Sequence, residues 1–250
     1  MNDQDPYVDF AARYDAFERG AEGDHAARDA FFRELFADHG VRSILDCACG
    51  TGSDLLRFRS LGLDVTGSDV SEAMLDETRR KLAEAGEKVP LLQTDFRRLV
   101  DHFPVPFDAV ACLSTSLPHL HEDAEILRAL RSMRDVLREG GVLVIDQGMT
   151  DRQWMERRRF FPVVQTADLS RLMVIDYAEE AFTIHVVDFV HRSNESAFHV
   201  DRFTYRKLLR DDYVRLLEVA GFRSVRLYGS FGFDAYDPDE SRRLIVVAVR

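Results

Sequence analysis

The stretch SILDCACGTGSD, residues 43–54, leads from a short apolar run into a tight turn that contains two glycines. The apolar run predicts a strand, and the residues from Ser53 onward predict the start of a helix. Gly50 and Gly52 give the turn backbone freedom and allow a ligand to approach the main chain closely. In an open α/β sheet, ligands bind beyond the carboxyl ends of the strands. The stretch therefore predicts a ligand site at the end of the first strand.

Around this turn, strand-like and helical segments alternate along the chain. Helical spacing covers residues 24–40 with Asp24 as N-cap, residues 71–86 opening on Ser71, and residues 123–141 ending at a glycine pair. The intervening strand-like runs are apolar without strict alternation, which indicates strands buried on both faces. This rhythm is typical of a parallel sheet that is covered by helices on both faces.

The rhythm breaks after residue 150 and resumes near residue 208. Residues 151–207 hold several β-rich stretches with no helix of useful length, which predicts an antiparallel insertion. We predict an α/β fold with a seven-stranded, mostly parallel sheet, helices on both faces and an antiparallel β lid. Residues 1–150 would form an N-terminal helical cover and the ligand-binding core, residues 151–207 the lid, and residues 208–250 a helix and strand hairpin that complete the core.

Composition limits the partners and the compartment. The formal net charge of −11 argues against nucleic acid as a partner. We expect no contact with a membrane, because no run approaches the roughly 18 apolar residues of a span, and the acidic N-terminus lacks the apolar stretch of a signal peptide. Cys47, Cys49 and Cys112 lack the spacing of a metal site or a disulfide framework. We therefore predict a cytoplasmic protein without a bound metal.

The turn discriminates between two adenosine ligands, NAD and S-adenosylmethionine (SAM). A dinucleotide turn usually reads GxGxxG, but Leu55 stands at the third glycine position of this chain. Asp54 also places a carboxylate in the first helical turn, where it would repel a pyrophosphate. SAM carries no phosphate and has two cationic groups, so these residues favour SAM.

Two further strand ends carry carboxylates that suit an adenosine. Asp69 ends the second strand and can accept hydrogen bonds from both ribose hydroxyls. Asp95 ends the third strand and can accept from the adenine amino group, with Phe96 against the ring. The alternative for each aspartate is a helix cap. Together with the glycine turn, they place three contacts at three successive strand ends.

These motifs together resemble class I SAM-dependent methyltransferases over essentially the whole chain. LDCACGTGSD resembles the glycine loop of the family, VTGSDVSEAML its ribose segment and LLQTDF its adenine segment, and FDAVACLSTSLPHL and LREGGVLVID resemble its fourth and fifth strands. The resemblance implies a Rossmann-like fold, SAM as the cofactor and S-adenosylhomocysteine as its product. Within the family, the chain is most similar to glycine and glycine/sarcosine N-methyltransferases, and more loosely to N,N-dimethyltransferases of amino sugars.

The resemblance also implies which residues form the site. The cofactor-binding residues would be Tyr7, Tyr14, Asp46, Ala48, Cys49, Gly50, Gly52, Asp69, Val70, Asp95, Phe96 and Leu113. His119 and Tyr14 would be catalytic residues near the transferred methyl group. The alternatives are a helix-capping or solvated role for His119 and a packing role for Tyr14.

The chain departs from the glycine N-methyltransferases where those enzymes bind the amino-acid carboxylate. Their carboxylate-binding arginine falls at Gly148 of this chain, and a further asparagine contact falls at Thr115. Arg152 and the run Arg157–Arg159 lie downstream and are candidates to replace that arginine. The departures keep an amine acceptor but weaken the prediction of glycine itself.

We therefore predict a SAM-dependent methyltransferase that acts on a small-molecule amine, amino-acid-like or amino-sugar-like, by in-line displacement. The first alternative is a small-molecule O-methyltransferase. The others are an NAD-dependent oxidoreductase, which Leu55 opposes, and a SAM-binding protein without catalysis. The sequence identifies no oligomer interface.

Overall fold

The computed structural model describes residues 5–20, 25–191 and 196–250. The described helices are α1 (Ala11–Tyr14), α2 (His25–Asp38), α3 (Ser53–Ser60), α4 (Glu72–Ala85), α5 (Asp123–Asp135), α6 (Asp151–Glu156) and α7 (Arg210–Ala220). Strands β1 (Ser43–Asp46), β2 (Asp64–Asp69), β3 (Leu91–Gln93), β4 (Phe107–Cys112), β5 (Leu137–Gln147), β10 (Ser224–Tyr228) and β11 (Leu244–Val249) form one sheet. Strands β6 (Phe160–Gln165), β7 (Leu169–Tyr177), β8 (Ala181–His191) and β9 (Ser196–Arg206) form a second sheet. Short 3₁₀ turns cover Asp15–Gly20, Phe96–Asp101 and Leu117–His119.

The first sheet, sheet A, confirms the predicted architecture. Its strand order is β10-β11-β5-β4-β1-β2-β3. The five strands from β1 to β5 run parallel, whereas β11 pairs antiparallel with both β5 and β10. The chain order reverses between β1 and β4, so a crevice opens beyond their carboxyl ends. The turn after β1 lies at that crevice.

Helices cover sheet A on both faces because successive residues of its strands are apolar and point to opposite sides. Leu45 of β1 packs in a core with α5 and α7, whereas Ile44 packs in a separate core with α2, α3 and α4. Cys47 and Cys49 likewise lie in the opposite cores. All three cysteines are buried and free.

Helix α3 packs close to sheet A although Leu55 stands where a dinucleotide turn has its third glycine. Leu55 packs against Gly67 of β2, where an added Cβ would lie 2.8 Å from its Cδ1 atom. A dinucleotide fold obtains this close approach from a glycine on the helix. Here the glycine stands on the strand, so the helix keeps a fully buried leucine.

The helix predicted over residues 123–141 ends six residues early, at Asp135. Leu137 is fully buried and already pairs with Phe107 in sheet A. Gly141 lies within β5 rather than at a helix end. A side chain would not fit there, because an added Cβ would lie 3.0 Å from the carbonyl oxygen of Asp108. The prediction was wrong because buried apolar residues continue from the helix into the strand.

Sheet B is the four-stranded antiparallel meander β6-β7-β8-β9. It lies within residues 151–207, as predicted, and follows the short helix α6. The division of the chain into three parts remains a prediction. Asp24, the predicted N-cap of α2, lies outside the described residues. No described helix is long and apolar enough to cross a membrane.

Candidate active site

A cavity of about 590 Å³ opens at the carboxyl ends of β1, β2, β4 and β5. Sheet A forms its floor, the inner face of sheet B forms the opposite wall, and residues 6–17 close one side. Its size suits a cofactor together with a small substrate. The predicted site residues in its wall are Tyr7, Tyr14, Asp46, Ala48, Cys49, Gly50, Asp69, Val70, Asp95, Phe96, Leu113 and His119.

Gly52 is the one predicted site residue outside this wall. Its φ of 84° is the left-handed conformation of a residue that precedes a helix. An added Cβ would lie 2.7 Å from the Cγ2 atom of Thr78 on α4. The structure therefore gives Gly52 a backbone and packing role, and its contact with the cofactor remains a prediction.

Asp69 holds the glycine turn together at the end of β2. The backbone N–H of Gly50 donates to its Oδ2 atom at 2.8 Å, and the N–H of Ser71 donates to its Oδ1 atom at 2.9 Å. Burial raises the pKa of this carboxyl. An ionised carboxylate has about four acceptor positions, so Asp69 keeps acceptor capacity for a ribose hydroxyl. The helix cap is Ser71 itself, whose Oγ atom accepts from the N–H of Met74.

Asp46 places a second carboxylate at the end of β1. It is 1% exposed and accepts a hydrogen bond from the N–H of Ala48 at 3.3 Å. Burial and the nearby Asp54 raise its pKa well above the usual range. A cationic group in the cavity would restore the charged form, so this end of the cavity suits an ammonium group.

The carboxylate of Asp95 accepts several hydrogen bonds within the protein, which the sequence analysis did not predict. Asp95 caps the 3₁₀ turn that follows β3, and its carboxylate binds the backbone N–H and the guanidinium of Arg97. Burial raises the pKa of Asp95, but its hydrogen bonds to Arg97 outweigh burial and hold the pKa below the usual value. Phe96 and Val70 lie beside it in the cavity wall. Val70 is 63% exposed, which leaves an apolar surface free for a flat ring.

The turn after β4 carries backbone strain at the cavity. Ser114 and Thr115 adopt φ values of 56° and 67°, which are rare for residues other than glycine and costly for a β-branched one. The N–H of Thr115 donates to the carbonyl of Asp146 at 3.0 Å, and its Oγ1 atom accepts from the N–H of Gly148 at 3.2 Å. The two positions where the sequence departs from the glycine N-methyltransferases are therefore bonded to each other.

His119 and three tyrosines form a cluster in the cavity wall. The Nε2 atom of His119 shares a hydrogen bond of 2.7 Å with the hydroxyl of Tyr7, and the imidazole ring lies 4.5 Å from that of Tyr205. Tyr14 meets Tyr7 edge to face, at 6.5 Å between centroids. Burial lowers the pKa of His119 to about 4, so the imidazole is neutral near pH 7. Burial raises the pKa of Tyr7 and of Tyr205, so both phenols keep their protons.

Sheet B supplies an apolar wall that the sequence analysis did not assign to the site. The residues that sheet B contributes to the cavity wall are Phe161, Met173, Ile175, Phe182, Ile184, Val186, Phe203 and Tyr205. Phe203 stacks on Tyr7 at 5.0 Å, and Phe182 stacks on Tyr205 at 5.2 Å. For Phe203 and Tyr205, the sequence pattern that points to a shared face of β9 is the alternation in RFTYR.

The arginines of the cavity are occupied by carboxylates. Within residues 5–20, 25–191 and 196–250, the arginines in its wall are Arg28, Arg57, Arg97 and Arg243, and each forms an ion pair with an aspartate. The candidates Arg152 and Arg157–Arg159 lie outside the wall. Arg152 pairs with Glu156, and Arg159 pairs with Asp176. These four residues therefore do not replace the arginine that is absent at Gly148.

Comparisons with known proteins show which enzyme family this chain resembles. A model of the methyltransferase domain matches residues 44–141. The glycine/sarcosine N-methyltransferase of Parasynechococcus marenigrum (strain WH8102) is 30% identical over 247 residues, which cover 94% of this chain and 82% of that protein.

Solved structures agree with the fold. A SAM-dependent methyltransferase from Clostridium acetobutylicum ATCC 824 superposes with a TM-score of 0.83 at 18% identity, covering 98% of this chain and 99% of that chain. A sugar N-methyltransferase from Streptoalloteichus sp ATCC 53650 superposes with a TM-score of 0.74 at 27% identity, covering 95% and 92%.

These matches confirm the resemblance that the sequence motifs indicated. The fold, the glycine turn and the carboxylate of Asp69 all fit a cofactor that carries an adenosine. The buried carboxylate of Asp46 beside the turn fits a cofactor that also carries a cationic group. The chain belongs to the SAM-dependent methyltransferases and is an enzyme of the small-molecule type.

Proposed function

We propose that the enzyme transfers the methyl group of SAM to the amine nitrogen of a neutral, largely apolar small molecule that bears no carboxylate beside the amine. The observation that carries the proposal is the acceptor side of the cavity. That side combines the apolar inner face of sheet B with a neutral imidazole. In the described residues, every arginine of the wall is already paired with an aspartate.

The protonation state of the site favours nitrogen over oxygen. SAM supplies an electrophilic methyl group, and the lone pair of a neutral amine attacks its carbon while the electrons of the S–C bond remain on sulfur. A hydroxyl acceptor needs a base to remove its proton during attack. His119, with a pKa of about 4, is a weak base, and the neighbouring Tyr7 and Tyr205 stay protonated. The methylated product can leave as an ammonium cation and exchange its proton with solvent after release, so the transfer needs no base in the cavity.

Aromatic rings suit the charge that this reaction carries. Both the sulfonium and the methylated ammonium are cations, and the faces of aromatic rings attract cations. Tyr7, Tyr14, Phe203 and Tyr205 line the cavity near His119. They would align the acceptor and exclude water, which can supply several kcal/mol toward the barrier.

The proposal that the acceptor lacks a carboxylate rests on Gly148 and Thr115. Relatives named for glycine and sarcosine are similar to this chain, but the carboxylate-binding arginine of that family falls at Gly148 and its asparagine at Thr115. Here these two residues are hydrogen-bonded to each other. The likeness to a sugar N-methyltransferase supports an amine acceptor that is not an amino acid.

The proposed roles of the remaining site residues follow the cofactor. Asp69 and Val70 flank the ribose, and Asp95 and Phe96 flank the adenine. The methionine part lies against the turn, which comprises Asp46, Ala48, Cys49, Gly50 and Gly52. Leu113 faces the sulfonium with His119 and Tyr14. Residues 151–207 act as the lid over the acceptor, and the enzyme works in the cytoplasm.

The proposal is tested by product analysis with methyl-deuterated SAM. Acceptors are offered in matched triplets that share one skeleton and carry an amine, a hydroxyl, or an amine with an adjacent carboxylate. We expect deuterated methyl groups on the plain amine, located on nitrogen by mass spectrometry. Transfer to the hydroxyl member alone would overturn the nitrogen assignment, and preference for the carboxylated member would overturn the neutral acceptor.

A further inference from the structure

Residues 5–17, here called the strap, border one side of the cavity and are tied to the glycine turn and to α4. The Oγ atom of Ser71 donates to the carboxylate of Asp5 at 2.5 Å. Asp15 accepts from the Oγ1 atom of Thr51 at 2.5 Å and pairs with the ammonium of Lys81 at 2.6 Å. Both attachments join the strap to elements that border the glycine turn.

A buried ion-pair cluster ties the strap to sheet B. The side chains of Arg171 and Asp188 are both 0% exposed, and the guanidinium donates to both carboxylate oxygens, at 2.7 and 2.8 Å. Arg13 of the strap joins them, with one bond of 2.6 Å to Asp188 and one of 2.8 Å to Asp201. Two arginines and two aspartates thus form a neutral network.

Arg171 also binds the backbone of the strap directly. Its Nη2 atom donates to the carbonyl of Arg13 at 2.7 Å, and its Nη1 atom lies 3.4 Å from the carbonyl of Tyr14. These carbonyls lie at the end of α1, where carbonyl oxygens attract cations and can accept a further hydrogen bond. The guanidinium also lies 5.1 Å from the ring of Phe10 and 4.5 Å from that of Phe17. One buried side chain therefore makes four contacts with the strap.

Burial of this network has a physical consequence. Removing charges from water is costly, and well-packed apolar residues at the same place are often equally stabilising. Such a network is better suited to select one arrangement of the strap than to add stability. The selected arrangement places Tyr7 and Tyr14 in the cavity wall. Arg171 lies on the same face of β7 as Met173, which lines the acceptor side.

We propose that Arg171 is a positioning residue: with Asp188 and Arg13 it locks the strap onto sheet B and so aligns Tyr7 and Tyr14 over the bound cofactor. The closed cavity then depends on sheet B being in place. The catalytic consequence rests on the proposed function, whereas the locking itself does not.

The first test uses Arg13→Gln, because Arg13 is partly exposed and its loss leaves the Arg171–Asp188 pair intact. Arg202→Gln is the matched control, since Arg202 is an exposed arginine that neighbours Asp201 on the opposite face of β9. Chymotrypsin cleavage within the strap is timed with and without S-adenosylhomocysteine, and calorimetry gives the affinity for S-adenosylhomocysteine. The melting temperature monitors the rest of the fold.

We expect Arg13→Gln to raise the rate of strap cleavage and to weaken S-adenosylhomocysteine binding, each by about tenfold, with little change in melting temperature. Arg202→Gln should match the wild type in all three measurements. Arg171→Lys keeps the charge but loses the forked donors, so it should act in the same direction. For active variants, methyl transfer should show a larger loss in kcat/KM for SAM than in kcat.

Cleavage of Arg13→Gln at the wild-type rate would overturn the proposal. Faster cleavage with unchanged affinity for S-adenosylhomocysteine would also overturn it, because the strap would then not shape the cavity. These outcomes are separate from the choice of acceptor, since neither cleavage nor binding requires methyl transfer. Failure of the wild type itself to bind S-adenosylhomocysteine would contradict the cofactor assignment instead, and the cleavage comparison would still decide whether the network locks the strap.

Discussion

Gly148→Arg should give the enzyme a preference for carboxylated amines that the wild type lacks. Gly148 is exposed at the end of β5 and lines the cavity. An added Cβ at this position meets no atom within 4 Å, and Gly148 is not among the positive-φ glycines, so a side chain fits without strain. The new guanidinium would be a cation in the wall that no carboxylate already holds.

The size of the effect follows from the bonds gained and the freedom lost. Two charge-assisted hydrogen bonds to a carboxylate contribute roughly 3 kcal/mol at the low end. Ordering an arginine side chain costs about 2 kcal/mol. The net gain of about 1 kcal/mol corresponds to roughly fivefold in kcat/KM, and it is larger if the cavity excludes water well.

The assay compares sarcosine with N-methylethylamine, which has a methyl group in place of the carboxylate. Gly148→Met is the control, because it adds a side chain of similar length without charge. We expect the ratio of the two kcat/KM values to shift toward sarcosine by roughly fivefold in Gly148→Arg relative to Gly148→Met. An equal ratio of the two kcat/KM values in Gly148→Arg and Gly148→Met would refute the argument that the side chain at position 148 decides carboxylate recognition.

Three further predictions concern stability. Burial lowers the pKa of His119 to about 4, whereas an unfolded histidine titrates near 6.5, so between these pH values the unfolded chain binds one more proton than the folded chain. Acidification from pH 6.5 to 4 should therefore lower the free energy of unfolding of the wild type by roughly 3 kcal/mol more than that of His119→Asn, measured by urea unfolding. Gly52→Ala forces a left-handed conformation and a contact with Thr78, and should lower the free energy of unfolding by about 1–3 kcal/mol. Asp188→Asn leaves Arg171 without its buried counter-charge, and should lower the free energy of unfolding by about 3 kcal/mol.

Each of these predictions has a contradicting result. Parallel pH dependences for the wild type and His119→Asn would mean that the imidazole is not buried in its neutral form. A Gly52→Ala protein as stable as the wild type would show that the turn and α4 relax freely. Unchanged unfolding of Asp188→Asn would mean that Arg171 finds another partner or solvent.

Local sequence patterns were sufficient for sheet A and for placing the glycine turn and Asp69 at the edge where the cavity opens. The apolar runs, the glycine turn and Asp69 are each visible within a few residues, and their placement at strand ends follows from the parallel fold. The end of α5 was misjudged because Val136 and Leu137 continue the apolar pattern of the helix while already entering the sheet. Helix ends depend on such tertiary pairing as much as on local sequence.

The acceptor side was harder to predict because its contacts join distant parts of the chain. Tyr7 and His119 are 112 residues apart, and Arg171 lies 158 residues from the carbonyl that it binds on Arg13. A single sequence shows Tyr205 only as one of several alternating aromatic residues in a strand. Which face of sheet B meets the cavity becomes clear only when the strap and both sheets are placed together.

Calorimetric titration with SAM, S-adenosylhomocysteine and NAD tests the central claim most directly, namely that the carboxyl ends of β1 and β2 bind SAM through Asp69. Asp69→Asn is compared with Asp64→Asn, which changes an exposed aspartate at the other end of β2. We expect the wild type and Asp64→Asn to bind SAM and S-adenosylhomocysteine but not NAD. Asp69→Asn should lose at least about tenfold in affinity, since charged hydrogen bonds to the ribose are weakened. Binding of NAD alone, or equal affinity for S-adenosylhomocysteine in both variants, would contradict the account.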